Sequence, residues 1–307
     1  MRFLLTLTLL GISLFAQTPE EAAEKAYLAN INTLLIFTSE SGLSSGKYNF
    51  TEAGFKMDTY NLPFRHHYAP FEENLNLFIS GGVGYSITRL DTQVQTQKSG
   101  SDIELTHDNK LQTYTAGLGG GVRYKSEWDI DFLAGAALIY SRVGTSINPQ
   151  DEIGEVIKDF FDSEYNDNLT VKIFISAEYD KKTEGYRPYI KGDFKLYETK
   201  ADFTLDELTS FTTQSDVTSL SLGVETPALL KYEEDYLSLE GYVKANYLHG
   251  DITSVVQFDK YLSLGALAYW YTPKAPSWAR RFYTEISTIR AEGLEGYNIG
   301  IGFSIDY

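Results

Sequence analysis

The last twelve residues of this sequence, GYNIGIGFSIDY, constrain its fold more than any other segment. Every odd position from Tyr297 to Tyr307 is aromatic or aliphatic, and every even position between them is Asn, Gly, Ser or Asp. Because successive side chains of a strand point to opposite faces, this pattern describes a strand with one apolar and one polar face. A strand of this length that ends on an aromatic residue is typical of a transmembrane β-barrel, with lipid outside and a polar lumen inside.

The same alternation recurs through most of the chain, which predicts many antiparallel strands. We predict about twelve, at 31–40, 50–67, 73–91, 111–126, 128–143, 167–180, 185–199, 212–226, 233–248, 256–272, 280–291 and 295–307. An even number agrees with a bacterial single-chain barrel, and ten strands remain the alternative. The predicted fold class is therefore all-β: a transmembrane antiparallel up-and-down β-barrel with a short N-terminal helix. A soluble exported β-sandwich is the alternative fold.

The two faces of the predicted strands differ in chemistry. One face is apolar, and its aromatic residues cluster near strand ends, where barrels place their interfacial girdles. The other face carries polar groups and both signs of charge, which can pair or meet water inside a barrel. These inward positions include Asn74, Asn76, Ser80, Thr113, Thr115, Arg123, Asp129, Asp131, Lys172, Glu178, Arg187, Lys191, Asp193, Lys195, Glu240, Lys244, Arg281 and Glu285. The same phasing places five large side chains in the lumen: Phe78, Tyr189, Tyr242, Tyr261 and Tyr283.

The predicted links alternate in length. They are short after every second strand, and two of the others, Asp91–Lys110 and Gly144–Asn166, are long. Short turns at one end and longer loops at the other are the asymmetry of outer-membrane barrels, with both termini periplasmic. Within the second long link, EIGEVIKDFF (Glu152–Phe161) has helical spacing. We interpret it as a helix over the barrel mouth, with a surface element that binds a partner as the alternative.

The N-terminus predicts export. Arg2 precedes the apolar stretch Phe3–Phe15, and Ala16 lies at the expected cleavage point, so residues 1–17 resemble a secretory signal peptide. A buried N-terminal helix is the alternative. Residues 18–30 have helical propensity, and residues 31–307 are left for the barrel. No other segment has the run of roughly 18 apolar residues that a membrane helix needs.

Composition agrees with an exported all-β chain and excludes some functions. The chain has 23 Tyr, 18 Phe and 25 Gly but no Cys, so no disulfide can stabilise it. Barrel closure offers another source of stability because it leaves no strand edge unpaired. A net charge of −16 argues against binding to nucleic acid or docking on an anionic membrane surface. A solvated acidic surface, or acidic loops that bind divalent cations, would account for it.

Patterns for catalysis are weak. His66 and His67 adjoin a predicted short turn, and neither has a serine two residues on, the spacing that would align both on one strand face. His107 and His249 lie on the loop side, each within two residues of an aspartate, which would allow a hydrolase or protease at the barrel mouth. Because such neighbours are common in solvated loops, we predict no catalytic, cofactor-binding or metal-binding residues.

Two glycine-rich runs superficially resemble phosphate-binding loops. They are SGGVG (Ser80–Gly84) and GLGGGV (Gly117–Val122), and both lack the lysine and the following helix of such loops. We interpret them as structural glycines, which permit bending or close approach inside a barrel.

A signal peptide, a short helical segment and a single barrel together resemble the solitary outer-membrane autotransporter-type β-barrel family. The stretch YNLPFRHHYAPFEENLNLFISGGVGYS (Tyr60–Ser86) is similar to the early hairpin of that family, and the aromatic C-terminal strand fits as well. The resemblance implies an outer-membrane barrel over nearly all of the mature chain. In autotransporters the barrel helps a passenger across the membrane, with a helix in the lumen. Only about a dozen residues precede this barrel, so we expect no passenger and treat Pro19–Asn30 as a candidate plug.

We therefore expect a non-enzymatic outer-membrane barrel with a structural or surface role, or a narrow pore. A passive transport pore for small solutes and a barrel-mouth hydrolase are the alternatives. The expected partners are outer-membrane lipid and lipopolysaccharide, and the barrel-assembly machinery through the C-terminal strand that ends at Tyr307. We expect a monomer with no cofactor and no nucleic-acid partner.

Overall fold

The computed structural model describes residues 43–68, 74–98, 101–148, 166–201, 211–275 and 280–304, and most of them are in β-strands. The strands are β1 (Leu43–Phe50), β2 (Phe55–His67), β3 (Leu75–Lys98), β4 (Ser101–Lys125), β5 (Ile130–Asn148), β6 (Asn166–Asp180), β7 (Arg187–Ala201), β8 (Phe211–Glu225), β9 (Leu230–Tyr232), β10 (Asp235–Gly250), β11 (Lys260–Tyr271), β12 (Arg281–Ala291) and β13 (Leu294–Ser304). The helix α1 (Asp251–Val256) lies between β10 and β11. No helix within these ranges is long and apolar enough to cross a membrane.

Twelve of these strands form a closed antiparallel barrel. Neighbours in sequence pair with each other, β10 pairs with both β8 and β11, and β13 pairs with β1. The remaining strand, β9, has three residues and pairs with the start of β10. The prediction of a twelve-stranded up-and-down barrel is confirmed, and closure leaves these strands without an open edge.

The register fixes the tilt of the strands. Paired residues followed from Ala201 of β7 through β6 and around the whole barrel lead back to β7 at Arg187, a displacement of 14 residues. For strands about 4.8 Å apart, that stagger corresponds to a tilt of about 40° from the barrel axis. This value lies in the range found for transmembrane barrels.

The barrel is apolar outside and mixed inside. On β13, Ile299 and Ile301 are about half exposed, whereas Asn298, which precedes Ile299 and lies on the opposite face, is 7% exposed. The other outward side chains follow the same rule and include Leu77, Val83, Leu118, Leu138, Leu169, Ile173, Ile175, Leu220, Leu239, Leu264 and Ile286. An apolar band of this extent would be unfavourable in water and suits lipid. The predicted phasing of the strands is confirmed.

The start of the barrel differs from the prediction. The single strand predicted at 50–67 is wrong, because β1 and β2 are joined there by the turn 51–54, with Gly54 at φ 72°. Phe50 and Phe55 flank this turn, and their rings stack with centroids 4.3 Å apart. Apolar residues on both sides of so short a turn imitate one continuous strand. The strand predicted at 31–40 lies outside the described residues, so the twelve strands include a different first one.

The long loop predicted at Asp91–Lys110 is also wrong. Strands β3 and β4 continue through it, in unbroken register to the pair Lys98 and Ser101. Strand β2 pairs with β3 as far as Leu90, and β5 pairs with β4 as far as Asp108, so the hairpin projects past the barrel rim. The sequence of this segment is mostly polar and therefore resembles a loop. Hydrogen bonds between the two strands satisfy the backbone without an apolar face, so the hairpin forms all the same.

The two ends of the barrel are distinguished by their links. The turn end carries residues 68–74, 126–129, 181–186, 226–234 and 272–280, and the loop end carries 51–54, 99–100, 149–165, 202–210, 251–259 and 292–293. Strand β1 begins and β13 ends at the turn end, while the longest link belongs to the loop end. The predicted signal peptide, the segment 18–30, the helix Glu152–Phe161 and the last residues Ile305–Tyr307 lie outside the described residues.

Candidate functional site: the barrel lumen

Helix α1 turns inward at the loop end of the lumen. Gly250 precedes it at φ 82°, where an added Cβ would lie 2.3 Å from the carbonyl oxygen of Gln214. The Asp251 carboxylate accepts a 2.8 Å hydrogen bond from the Gln214 backbone N–H, and the Ser215 hydroxyl accepts one from the Ile252 N–H. These contacts hold the helix against β8, and the helix buries its own side chains Ile252, Val255 and Val256.

These helix residues belong to a buried cluster that we name the apolar plug. Its members are Tyr48, Phe50, Phe55, Met57, Tyr197, Val217, Leu248, Ile252, Val255, Val256, Phe258, Tyr261, Ile289 and Leu294. The plug reaches across the barrel, since Tyr48 lies on β1 and Tyr197 on β7, six strands away in either direction. Phe50 is 0% exposed and stacks on Phe55 and on Phe258.

A second cluster lies towards the turn end and is polar. We name it the tyrosine–carboxylate network: Tyr189, Glu225, Ser238, Glu240, Tyr242, Tyr269, Tyr271 and Glu285. Glu240 accepts hydrogen bonds from the hydroxyls of Tyr189 (2.8 Å) and Tyr269 (2.9 Å). Glu285 accepts one from Tyr242 at 2.6 Å. Each bond joins different strands, so the network ties β7, β8, β10, β11 and β12 together across the inner wall.

Glu225 connects the network to two cations. It accepts hydrogen bonds from Tyr271 (2.7 Å) and Ser238 (2.5 Å), and Arg281 and Arg187 approach its other oxygen at 3.7 and 3.9 Å. The Arg281 guanidinium also lies over the ring of Tyr269, 3.9 Å from its centroid. Buried charges are tolerated only when they are paired and hydrogen-bonded, and Glu225 satisfies both conditions.

Cross-strand glycines make room for the tyrosine rings. Tyr189 pairs in register with Gly223, and Tyr242 with Gly265. A Cβ at either glycine would lie 2.4–2.5 Å from the tyrosine ring, so only glycine lets the ring lie flat on the wall. In that position each ring extends along the wall to a glutamate: Tyr189 to Glu240 on β10, and Tyr242 to Glu285 on β12.

The opposite wall uses the same device with phenylalanines. Phe78 pairs in register with Gly121, and Phe174 with Gly135, and a Cβ at either glycine would meet the ring at 2.7 Å. These contacts support the structural interpretation of the glycine run 117–122. Nearby, Arg123 donates two hydrogen bonds to the carboxylate of Asp131, at 3.0 and 2.6 Å.

Most residues predicted to face inward do so. Phe78, Tyr261 and Tyr283 are 2–8% exposed, and the predicted charges Arg123, Asp131, Lys191, Asp193, Glu240, Arg281 and Glu285 form contacts on the inner wall. Asp129 was predicted wrongly, because the strand begins one residue later and Asp129 occupies a turn at φ 60°.

The histidines do not come together. His66 and His67 end β2 at the turn end, where the His66 ring meets Tyr68 and the His67 ring meets Phe78. His107 lies on the projecting hairpin, paired in register with Thr92. His249 is on the exposed outer face of β10, and the Asp251 carboxylate is already bonded to the Gln214 backbone. The geometry therefore does not support a His–Asp pair at His249, and the side chains of His107 and Asp108 lie outside the described part of the chain.

Sequence reasoning missed α1 and part of the network. The residues Ile252, Val255 and Val256 have spacings of three and four, a helical signal that we read as a link before a strand predicted from 256. Glu225, Tyr269 and Tyr271 stand at inward positions of their strands, so the inward direction of their side chains could be predicted. Their pairing was not, because it depends on register between strands.

Comparison with known proteins identifies the fold. No family model matches the chain, and no curated protein matches it in sequence. Among solved structures, the translocator domain of the autotransporter NalP from Neisseria meningitidis superposes with a TM-score of 0.55 at 12% identity, covering 94% of this chain and 99% of that one. The β-domain of the Bordetella autotransporter BrkA gives 0.55 at 8% identity, with coverage of 85% and 98%. The transport unit of AIDA-I from Escherichia coli gives 0.51 at 11% identity, with coverage of 94% and 99%. The chain thus has the fold of the autotransporter translocator barrels, as the sequence resemblance implied.

Proposed function

We propose that this protein is a non-enzymatic barrel of the outer membrane with a lumen that is closed at rest, and that it has a structural or surface role. The loop end faces the cell exterior and the turn end faces the periplasm. The observation that carries the proposal is the apolar plug, which reaches from β1 to β7 and contains side chains with little or no exposure. Water and ions avoid such a constriction, because most of its side chains are purely apolar and cannot replace their hydration.

Fold likeness and the apolar outer band support the placement in the outer membrane. The band is flanked by tyrosines, as expected at lipid–water boundaries. On the inner wall, Asp131 and Glu240 are hydrogen-bonded to Arg123 and Tyr269 rather than to a candidate nucleophile. We also propose insertion through the barrel-assembly machinery and a monomeric state.

Planar-bilayer recording tests the closed lumen. We expect the purified barrel to insert without steady ohmic conductance. The double substitution Ile252→Asn, Val256→Asn should produce channels, because two amides without partners would expel α1 from the mouth. Ser254→Asn, on the exposed side of the same helix, is the matched control and should stay silent. Steady conductance of the unmodified protein would favour the passive pore for small solutes instead.

A further inference from the structure

The outer surface carries three cations at neighbouring register positions near the loop end. Lys56 on β2 pairs in register with Arg89 on β3, and Arg89 pairs with Lys110 on β4. All three occupy the outward parity of their strands. We name them the cation row. Like charges placed directly opposite each other in a sheet repel, so an anion in contact with all three would stabilise the row.

A row of tyrosines fixes the depth of the cation row. Tyr60, Tyr85 and Tyr114 lie in register on the same three strands, four residues nearer the turn end. Their ring centroids are 6.2 and 4.9 Å apart, and Tyr60 and Tyr114 are about half exposed on the outer face. Four residues of strand separate the two rows by about 13 Å. Tyrosines favour the lipid–water boundary, which places the cation row among the headgroups.

Between the two rows, cations outnumber acids. Arg89 donates a 2.6 Å hydrogen bond to Asp58, which also lies 3.9 Å from Lys47. Next to Tyr114 in register, Arg142 on β5 is bonded to Asp167. On the described outer faces of β1 to β6, from the tyrosine row to the cation row, five cations stand with two acids, Asp58 and Asp167, in a chain of net charge −16.

We infer that the cation row binds the phosphate groups of lipopolysaccharide, the acyl chains of which lie against the apolar band below the tyrosine row. Neighbouring strands are about 4.8 Å apart, so the three cations form a strip about 10 Å long, with room for more than one phosphate group. Charge-assisted hydrogen bonds from lysine and arginine are the usual means of holding phosphate. The inference rests on the proposed orientation, with the loop end in the outer leaflet.

Binding of defined lipid A to the detergent-extracted barrel tests the site. Native mass spectrometry would compare bis-phosphorylated lipid A with the same lipid after removal of both phosphates. The triple substitution Lys56→Gln, Arg89→Gln, Lys110→Gln should weaken binding of the phosphorylated lipid by about tenfold or more. The matched control Lys260→Gln, Arg290→Gln removes two outward cations at the same end but on β11 and β12, and should leave binding unchanged. Dephosphorylated lipid should bind the unmodified barrel as weakly as phosphorylated lipid binds the triple variant.

Three results would overturn the site: equal binding by the triple variant, an equal loss in the control, or undiminished binding of dephosphorylated lipid. Millimolar inorganic phosphate should compete poorly, and competition by free phosphate at micromolar levels would indicate a simple anion site instead. A gel-mobility shift on boiling verifies that each variant is a folded barrel. These outer-face changes should leave conductance unaffected, so failure of the lipid site and failure of the closed lumen are separable.

Discussion

The two ends of the lumen are filled by different chemistry on the same inner wall. At the loop end, aromatic and aliphatic side chains pack around α1 with almost no exposure. Towards the turn end, tyrosine hydroxyls and glutamates bridge neighbouring strands, with arginines beside them. The plug excludes water by contact, whereas the network leaves polar groups that remain satisfied only in one register. The first should therefore control permeability and the second the alignment of strands.

The largest effect is expected from polar substitution in the plug. Ile252→Asn with Val256→Asn removes two fully buried aliphatic side chains and introduces amides without partners. We expect a loss of about 4 kcal/mol or more in the free energy of unfolding in detergent, together with new conductance. Urea titration followed by gel mobility measures the loss, with Ser254→Asn as reference. An unchanged midpoint would show that the plug does not stabilise the barrel.

A smaller effect is expected from the glycines under the tyrosine rings. Gly223→Ala and Gly265→Ala place a methyl group 2.4–2.5 Å from a ring, which must move and release its glutamate. Each should cost about 1–3 kcal/mol, the usual range for overpacking. Gly241→Ala is the control, because nothing lies within 4 Å of an added Cβ there. Equal urea midpoints for all three variants would contradict the role assigned to these pairs.

Removal of one network hydroxyl should act more weakly. Tyr269→Phe keeps the ring over which Arg281 lies but removes the donor to Glu240. We expect a loss of about 1–2 kcal/mol, since an acceptor in the wall is left with one donor fewer. Tyr247→Phe, on the exposed outer face, should be neutral in the same titration. The reverse order of the two variants would place the stabilising tyrosines outside the lumen.

The smallest effects are expected from the ion pairs, and location should decide their order. Arg123→Gln breaks a bidentate pair with Asp131 on the inner wall and should lower stability by about 1 kcal/mol. Arg142→Gln breaks a pair with Asp167 in which both side chains are about half exposed, and it should leave the urea midpoint unchanged. A larger loss from the exposed pair would mean that solvent does not screen it.

Strand parity was predictable from sequence, and contacts across strands were not. The alternation around Ile299 and Ile301 arises because the two faces of the strand have different surroundings, and it is visible in the sequence of a single strand. The turn 51–54 was missed because Phe50 and Phe55 continue the apolar pattern on both sides of it. The bond from Tyr189 to Glu240 joins residues 51 positions apart, and only the register of three strands brings them together. The inward direction of the site's side chains could therefore be predicted from the sequence, whereas the contacts among them depend on strand register and barrel closure.

Labelling of single cysteines in intact cells tests the closed, oriented barrel most directly. The chain has no cysteine, so each introduced thiol is the only one. Ser254→Cys lies on the exposed side of α1 at the loop end, and Lys191→Cys lies on the inner wall below the plug, where the native side chain is 33% exposed. A membrane-impermeant maleimide added outside should label the first promptly and the second only after the outer membrane is permeabilised. Prompt labelling of the second in intact cells would contradict the closed lumen, and protection of the first would contradict the orientation.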